Sequence, residues 1–397
     1  MTLTHHNKDN LATLYEVLGV EPKAKPHILR NAYRRLARTH HPDVNPDPRA
    51  HELMAKINSA FETLIDPVRR MEYDSVLNGG FVEDPTPDQR ESRAPDAVSV
   101  QIAYRLRDHK TPIYGLSFAA DTGQLISTAF DNELMWWDMT NGQSLRRLKV
   151  EGGVISTIRT LPGDKIFVAG NSENVVTSWI IQDGAVTDTR SVPHEWSCCV
   201  ALSADGQNVA IGSVNRMLNV YRTKSGKELF ESSAHADSVT SVAWAPNGKR
   251  LATGSADATV KVWDAAAGKE IHTFINVRST VTSMAFSPDG KYLAVAAVDL
   301  SVRIFRLTDM RLVKTFFGHE KPIEALAFHP SGWLLGTVAR DGCVGLYDVD
   351  RGVGHGKIEA SHMPLASIAF SADGKRLAAG GLDKVLRVWD LAVRKPS

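Results

Sequence analysis

The sequence predicts a multidomain protein in which a small all-α region, about residues 11–77, precedes a larger all-β region, about residues 98–393. Two observations suggest this division. Apolar residues at helical spacing dominate only the N-terminal part, and the C-terminal part repeats itself at a fixed interval. A chain of 397 residues is also too long for one compact core. Residues 1–10 and 394–397 are predicted to be a mobile N-terminal end and a short C-terminal tail.

The all-β region is built from units of 42 residues. Each of seven units has an aromatic residue at the end of a short apolar stretch: Trp137, Trp179, Tyr221, Trp263, Phe305, Tyr347 and Trp389. A turn-forming polar residue lies six positions before each aromatic, and hairpin turns such as Ser-Pro-Asp-Gly-Lys at 287–291 separate alternating strands. One sheet of four short strands cannot bury its own faces, so the pattern predicts a seven-bladed β-propeller.

The repeats resemble the WD-repeat family, most clearly at 260–264 (VKVWD) and 387–390 (RVWD). The resemblance implies a buried, hydrogen-bonded tetrad of His, Ser or Thr, Asp and Trp in the best-formed blades. The matching positions are His109, Ser127, Asp131 and Trp137, then His235, Thr253, Asp257 and Trp263, and a near match of His319, Thr337 and Asp341 with Tyr347. The resemblance also implies that a strand at 99–106 completes the last blade. The second and fifth repeats lack the His, so apolar packing is expected to hold those blades.

The recurring acids and histidines could suggest an enzyme, but their register favours a structural role. Each acid lies in a tight turn, where its side chain can bond backbone amides. The sequence contains no G-x-S-x-G, H-E-x-x-H or phosphate-binding glycine loop. Its three cysteines, Cys198, Cys199 and Cys343, are too few for a disulfide framework or a two-zinc module. We therefore expect no enzymatic activity, no metal and no cofactor.

The N-terminal region has the pattern of four helices. Asp9 or Asn10 is a predicted N-cap for a first helix that ends at Gly19. A second helix spans about 28–40 and stops before Pro42, and a third, with apolar residues from 53 to 64, packs back on it. A short fourth helix is predicted from residue 67 to about residue 77.

One face of the second helix is strongly basic. Arg30, Arg34 and Arg38 recur at every fourth position, Arg35 lies beside them, and no acid interrupts the stretch between His27 and His40. A run of like charge is most often a solvated helix face, and that alternative stays open for these residues. A docking surface for an acidic partner is the competing interpretation.

The helical region resembles a J domain. The resemblance lies in four segments in order: YEVLGV at 15–20, AYRRLA at 32–37, His41-Pro42-Asp43, and AFETLIDP at 60–67. It implies binding to the ATP-bound form of a DnaK-type heat-shock chaperone and stimulation of its ATP hydrolysis. By motif position, His41, Pro42 and Asp43 are the activating loop. Docking is assigned to Arg30, Arg34, Arg35 and Arg38, with Tyr33 either part of that surface or mostly structural.

Residues 78–97 carry three prolines and five acids and have little to bury, so they are predicted to be a mostly disordered linker. The zinc-finger segment of the larger DnaJ-type proteins is absent from the sequence, since its cysteines are missing. The resemblance therefore points to a divergent J protein in which an unrelated module replaces the client-binding part.

The residues just before the turn acids suggest a binding surface on the propeller. In the family this column often lies at the rim of one face, and here it is unusually apolar. The predicted protein-binding rim comprises Phe130, Val214, Val298, Arg340 and Leu382 of this column together with Trp196 from a neighbouring loop. Ordinary packing between hairpins is the equally weighted alternative.

Charge and hydropathy limit the remaining possibilities. The chain has 46 basic and 45 acidic residues, a formal net charge of +1, which gives no global attraction to nucleic acid or an anionic membrane. No stretch suits a secretory signal or a membrane span, so a cytoplasmic location is expected. The function favoured is a co-chaperone that presents a propeller-bound client or assembly. A scaffold with an inactive J domain and, less favoured, a propeller enzyme are the alternatives.

Overall fold

The computed structural model describes residues 13–22, 24–40, 57, 60, 61, 64, 65, 98–119, 121–161, 163, 165–172 and 174–393. The chain divides into two units, Met1–Pro95 and Asp96–Ser397, and each is described by itself. The predicted linker at 78–97, both predicted ends and the predicted fourth helix lie outside the described residues.

Helix α1 (Leu14–Leu18) begins later than predicted, because its N-cap is Thr13 and neither Asp9 nor Asn10. The backbone N–H of Glu16 donates to Thr13 Oγ1 at 3.2 Å, and the Thr13 N–H donates to Glu16 Oε2 at 2.6 Å. This capping box satisfies two amides at the helix end. Gly19 ends the helix as predicted, with a left-handed φ of 62° that glycine adopts without steric cost.

Helix α2 (Pro26–His40) packs its apolar face against α1 and against helical residues further along the chain. Residues 57, 60, 61, 64 and 65 are helical, in agreement with the predicted third helix. Tyr15, Leu18 and Leu29 are fully buried together with Ile57 and Leu64. The helical unit is therefore held by one small core contributed by all three segments.

The second unit is a seven-bladed β-propeller, which confirms the predicted fold. Each blade is a four-stranded antiparallel sheet. The strands are, for blade 1, β2 (Ile113–Phe118), β3 (Leu125–Ala129), β4 (Glu133–Trp137) and β5 (Ser144–Lys149); for blade 2, β6 (Val154–Leu161), β7 (Lys165–Ser172), β8 (Val175–Gln182) and β9 (Ala185–Pro193); for blade 3, β10 (Ser197–Leu202), β11 (Asn208–Ser213), β12 (Met217–Arg222) and β13 (Glu228–Ser233); for blade 4, β14 (Val239–Trp244), β15 (Arg250–Ser255), β16 (Val260–Asp264) and β17 (Lys269–Phe274); for blade 5, β18 (Val281–Phe286), β19 (Tyr292–Ala297), β20 (Val302–Arg306) and β21 (Arg311–Phe316); for blade 6, β22 (Ile323–Phe328), β23 (Leu334–Ala339), β24 (Cys343–Asp348) and β25 (Val353–Glu359); and for blade 7, β26 (Leu365–Phe370), β27 (Arg376–Gly381), β28 (Leu386–Val393) and β1 (Val98–Leu106).

The first strand of the unit closes the ring, as the sequence predicts. β1 pairs antiparallel with β28, from Val98 opposite Val393 to Leu106 opposite Leu386. The blade nearest the C-terminus thereby receives its outermost strand from the start of the unit. Tyr104 and Leu106 pack against the core between blades 7 and 1, so the closure also buries apolar surface.

The first strands of the blades, β2, β6, β10, β14, β18, β22 and β26, form the innermost ring. Each of them contacts the corresponding strand on either side, and β26 contacts β2. Each also has a β-bulge near its start, for example between Ile113 and Gly115 in β2. The seven strands therefore surround a central channel. Among the described residues, no helix is long and apolar enough to cross a membrane.

A truncation pair tests the closure. Removing residues 1–97 leaves β1 intact and is expected to leave the midpoint of propeller unfolding unchanged. Removing residues 1–106 also deletes β1 and is expected to lower the midpoint by at least about 5 °C, because blade 7 loses its edge strand. Differential scanning calorimetry on both truncated proteins provides the comparison. Equal midpoints for the two would contradict a stabilising role for β1.

Candidate functional site

The helix that carries the basic stretch is formed as predicted, although it begins at Pro26. Arg30, Arg34, Arg35 and Arg38 all lie on α2, and of these the described side chain of Arg35 is exposed. Leu29 and Ala32 are buried on the opposite, apolar face. The Arg35 guanidinium is therefore available to a partner without disturbing the core of the hairpin.

Tyr33 differs from Arg35 in its surroundings. Its ring stacks on Phe61, with ring centroids 4.2 Å apart and planes 17° from parallel. The residue is half-buried, and it borders the small core of the helical unit. This contact links α2 to the third helical segment and gives Tyr33 a structural role, the second of the two roles considered for it.

His41, Pro42 and Asp43 lie outside the described residues. Their place in the chain is nevertheless fixed by α2, which ends at His40. The three residues follow the basic helix directly, and the third helical segment lies beyond them in the chain. In the sequence, the three residues thus lie between the basic helix and the third helical segment.

The tetrads of blades 4 and 6 are continuous hydrogen-bond chains. In blade 4, Trp263 Nε1 donates to Thr253 Oγ1 at 2.9 Å, and Thr253 Oγ1 lies 2.7 Å from His235 Nε2. His235 Nδ1 lies 3.1 Å from Asp257 Oδ2. In blade 6 the distance from His319 Nε2 to Thr337 Oγ1 is 2.7 Å. Every buried polar atom of these chains thus has a partner.

The electrostatics of these chains favour neutral histidine beside charged aspartate. Burial lowers the pKa of His235 and of His319, although the neighbouring aspartates oppose this effect. Burial alone would raise the pKa of Asp257, but hydrogen bonds from Thr259 and from the Ala236 amide outweigh it and lower that pKa. The Asp257 carboxylate therefore accepts hydrogen bonds from two loops and interacts with His235.

Blade 1 has all four tetrad residues but forms only part of the chain. His109 Nε2 lies 2.6 Å from Ser127 Oγ, which also accepts from Trp137 Nε1 at 2.8 Å. His109 Nδ1, however, is buried without a hydrogen-bond partner among the described residues. Asp131 instead accepts from the backbone of Glu133. Burial, the largest effect, lowers the pKa of His109 to about 4.

The predicted rim residues are mostly exposed. The exposed fraction is 55% for Phe130, 62% for Trp196, 46% for Val214 and 47% for Val298. Arg340 is exposed and pairs with Glu324, whereas Leu382 is half-buried. The backbone N–H of Phe130 donates to the Pro112 carbonyl and that of Val214 to the Trp196 carbonyl, each at 2.9 Å. These two backbone hydrogen bonds therefore join each turn to the loop that leads into the inner strand of the same blade.

Trp196 is unusual among the rim residues in its backbone. Its φ is 59°, in the left-handed region that a bulky side chain adopts at a cost of about 1 kcal/mol. The strained backbone belongs to the residue with the most exposed aromatic ring of the rim.

Tyr114, which the sequence did not single out, is also exposed, and its ring centroid lies 6.2 Å from that of Phe130. Tyr114 lies at the β2 bulge, a feature that the repeat pattern of the sequence does not show.

Family models match both units. A model described as "DnaJ domain" matches residues 13–74, one described as "WD domain, G-beta repeat" matches residues 100–138, and one described as "IFT122 first beta-propeller" matches residues 214–396. The chain carries a J domain followed by a WD-repeat propeller.

Curated proteins similar to this chain include chaperone proteins named DnaJ. Chaperone protein DnaJ 1 of Aquifex aeolicus is 50% identical over 64 residues, which are 16% of this chain and 18% of that protein. Chaperone protein DnaJ of Dictyoglomus thermophilum is 52% identical over 66 residues, 17% of each chain. Chaperone protein DnaJ of Thermosynechococcus vestitus is 53% identical over 66 residues, 17% of this chain and 18% of that protein. The chain thus spans less than a fifth of these curated relatives.

Blades 5 and 7 contain a polar cluster that the sequence reasoning missed. In the WD-repeat propeller, the fifth blade was expected to rely on apolar packing. Instead Arg303 Nη2 donates to Asp299 Oδ2 at 2.7 Å, and in blade 7 Arg387 Nη2 donates to Asp383 Oδ2 at 2.6 Å. Both arginines are buried. The signal was an arginine four residues after the turn acid in both repeats.

The described part of the propeller and J domain offers no metal centre, since no group of three His, Cys, Asp or Glu side chains there is placed to hold an ion. Burial raises the pKa of the Cys198 thiol, of the Cys199 thiol and of the Cys343 thiol. Thiols of raised pKa are poor nucleophiles near neutral pH. Cys343 is buried and Cys199 is half-buried, so both are best explained as packing residues, whereas the Cys198 side chain is exposed.

The complete tetrad of blade 4 and the incomplete tetrad of blade 1 are expected to lose different amounts of unfolding free energy when their aspartate is removed. Asp257→Ala removes one of the two partners of His235 Nδ1 and the acceptor of two backbone amides, so it is expected to lower the free energy of unfolding by about 2–3 kcal/mol. Asp131→Ala, its matched control, is expected to cost about 1 kcal/mol, because His109 Nδ1 does not depend on Asp131. Urea unfolding of both variants measures the difference. A larger cost at Asp131 would contradict the described geometry.

Proposed function

We propose that this protein is a co-chaperone. Its J domain binds a DnaK-type heat-shock chaperone and stimulates ATP hydrolysis by that partner, while the propeller binds a client or partner protein. The observation that carries the proposal is the match of residues 13–74 to the DnaJ domain together with an intact His41-Pro42-Asp43. The protein itself catalyses no reaction in this proposal, and it acts in the cytoplasm.

Docking begins at the basic helix. The exposed Arg35 and the other arginines of α2 meet an acidic surface of the chaperone, where charge complementarity speeds encounter and fixes orientation. Because exposed charge pairs are screened by salt, this step is expected to weaken as ionic strength rises. The stack of Tyr33 on Phe61 supports it by holding α2 in place.

Activation is assigned to the loop that follows the helix. His41, Pro42 and Asp43 bind one conformation of the chaperone better than the other, and this difference in affinity moves the chaperone toward the hydrolysing state. The loop adds no catalytic group to the ATP site. Pro42 separates the two polar residues in the sequence, and a proline ring fixes its own φ.

The propeller binds the client or partner protein in this proposal. Phe130, Trp196, Val214 and Val298 expose apolar side chains along the rim, and exposed apolar groups of this kind mark protein interfaces. The strained backbone of Trp196 supports a functional reason for its exposure. A scaffold in which the J domain docks without activating is the second candidate, favoured by the size of the propeller relative to the helical unit.

The proposal predicts stimulation of ATP hydrolysis that depends on the loop. In single-turnover assays with DnaK-type chaperones of the source organism, the full chain is expected to raise the rate and His41→Gln to return it to the basal value. Trp196→Ser is the matched control and is expected to stimulate like the unaltered chain, because it changes only the propeller. Binding without stimulation by the unaltered chain would favour the scaffold.

The rim is tested separately. Trp196→Ser is expected to reduce binding of the partner protein by at least about tenfold, the effect of losing a central aromatic anchor. Ile271→Ser is the control, because Ile271 is a similarly apolar exposed side chain on the outer strand β17 of blade 4. Cross-linking and quantitative mass spectrometry compare the proteins captured by each variant. Equal losses for both variants would remove the rim assignment.

A further inference from the structure

The outermost strand of blade 2, β9, has a long open edge. It has nine residues, whereas the outermost strands of blades 1, 3, 4 and 5 have six each. In the described propeller β9 is paired with β8 alone, so its other edge carries no strand. Residues 185–187 and 189–191 are exposed to solvent. A free edge of this kind can pair with a further strand.

The hydrogen bonds beside β9 show which of its backbone groups face outward. The N–H of His194, directly after the strand, donates to the Asn174 carbonyl at 2.9 Å. Antiparallel strands alternate, so the backbones of Arg190 and Asp188 are also directed toward β8, and that of Thr189 is directed away from it. The Thr189 N–H agrees with this assignment, because it donates to Asp188 Oδ1 at 2.9 Å.

The charges of β9 are complementary to those of the same strand in a second copy. Asp188 and Arg190 lie on one face of the sheet, with Arg190 Nη2 3.7 Å from Asp188 Oδ1. Two copies of β9 that pair antiparallel about Thr189 place Asp188 of each copy opposite Arg190 of the other. The neighbouring registers with outward backbone groups opposite each other are shifted by two residues. They place Asp188 opposite Asp188 or Arg190 opposite Arg190, and like charges directly opposite are unfavourable.

Other outermost strands of the described propeller suit such a pairing less well. In β17, Thr273 occupies the corresponding place after the bulge, but His272 and Phe274 flank it and offer no pair of unlike charges. In β25, Lys357 and Glu359 lie two residues apart, yet the lysine already forms an ion pair within its own blade. β9 therefore combines the longer open edge with unlike charges on both sides of an outward-facing residue.

We propose that β9 pairs antiparallel with β9 of a second copy of this chain, about a two-fold axis at Thr189. The Thr189 N–H of each copy donates to the Thr189 carbonyl of the other, and Asp188 of each pairs with Arg190 of the other. The two second blades then form one continuous sheet of eight strands, and the dimer carries two J domains. Because the pairing involves a short stretch of one strand, the dimer is weak and depends on protein concentration.

Sedimentation velocity of the full chain over a hundredfold range of concentrations tests the pairing. A monomer–dimer equilibrium is expected, and Thr189→Pro is expected to weaken it by at least about tenfold. Proline removes the outward N–H but no bond to β8, so an edge strand tolerates it there. Thr273→Pro is the matched control on β17 and is expected to dimerise like the unaltered chain. Thermal unfolding of both variants establishes that each is folded.

A charge exchange tests the register and the identity of the partner. Asp188→Arg and Arg190→Asp each place like charges opposite one another, so each variant alone is expected to be monomeric. An equal mixture of the two is expected to regain the dimer, because each variant then faces the opposite charges. A mixture that stays monomeric while the unaltered chain dimerises would overturn the proposal, as would a dimer that persists in Thr189→Pro. A chain that is monomeric throughout would also overturn it and would leave the edge to a segment of a different protein.

Discussion

The pairing of β1 with β28 is the contact on which the propeller depends. Each blade buries its faces only against its neighbours, so an open ring would expose one face of blade 1 and one of blade 7. The register from Val98 opposite Val393 to Leu106 opposite Leu386 fixes the two ends of the unit to each other. Because β1 comes directly after the predicted linker, the strand that closes the propeller is also the one to which the J domain is joined.

The sequence predicted the architecture because the architecture repeats. Any single strand is hard to assign from its sequence, but the same 42-residue pattern recurs in seven units and makes each assignment secure. The acidic residues in the turns show how the repeats align with one another. The rim followed from the same register, since Phe130, Val214 and Val298 share one position. Local capping was predicted less well: Asp9 and Asn10 are good N-cap residues, but Glu16 lies three residues after Thr13 and decides in favour of the capping box.

What could not be predicted depends on contacts between side chains. His109, Ser127, Asp131 and Trp137 have the tetrad composition, yet His109 Nδ1 has no hydrogen-bond partner among the described residues. Conversely, blades 5 and 7 lack the histidine but bury Arg303 and Arg387 against their acids. Residue identity at matching positions indicates which groups are near each other, whereas hydrogen bonding depends on distances of a few tenths of an ångström.

In the proposed function, the same turns stabilise the blades and also present the rim to a partner protein. Val298 is exposed, while the next residue, Asp299, is held by Ser301 and Arg303. Phe130 likewise precedes Asp131, whose amide donates to Thr111 Oγ1 at 3.2 Å. An apolar side chain on a turn fixed in this way loses little conformational entropy when a partner binds it. The network that holds each blade together therefore also preorganises the rim, and a propeller stabilised mainly by apolar packing would present the same side chains less rigidly.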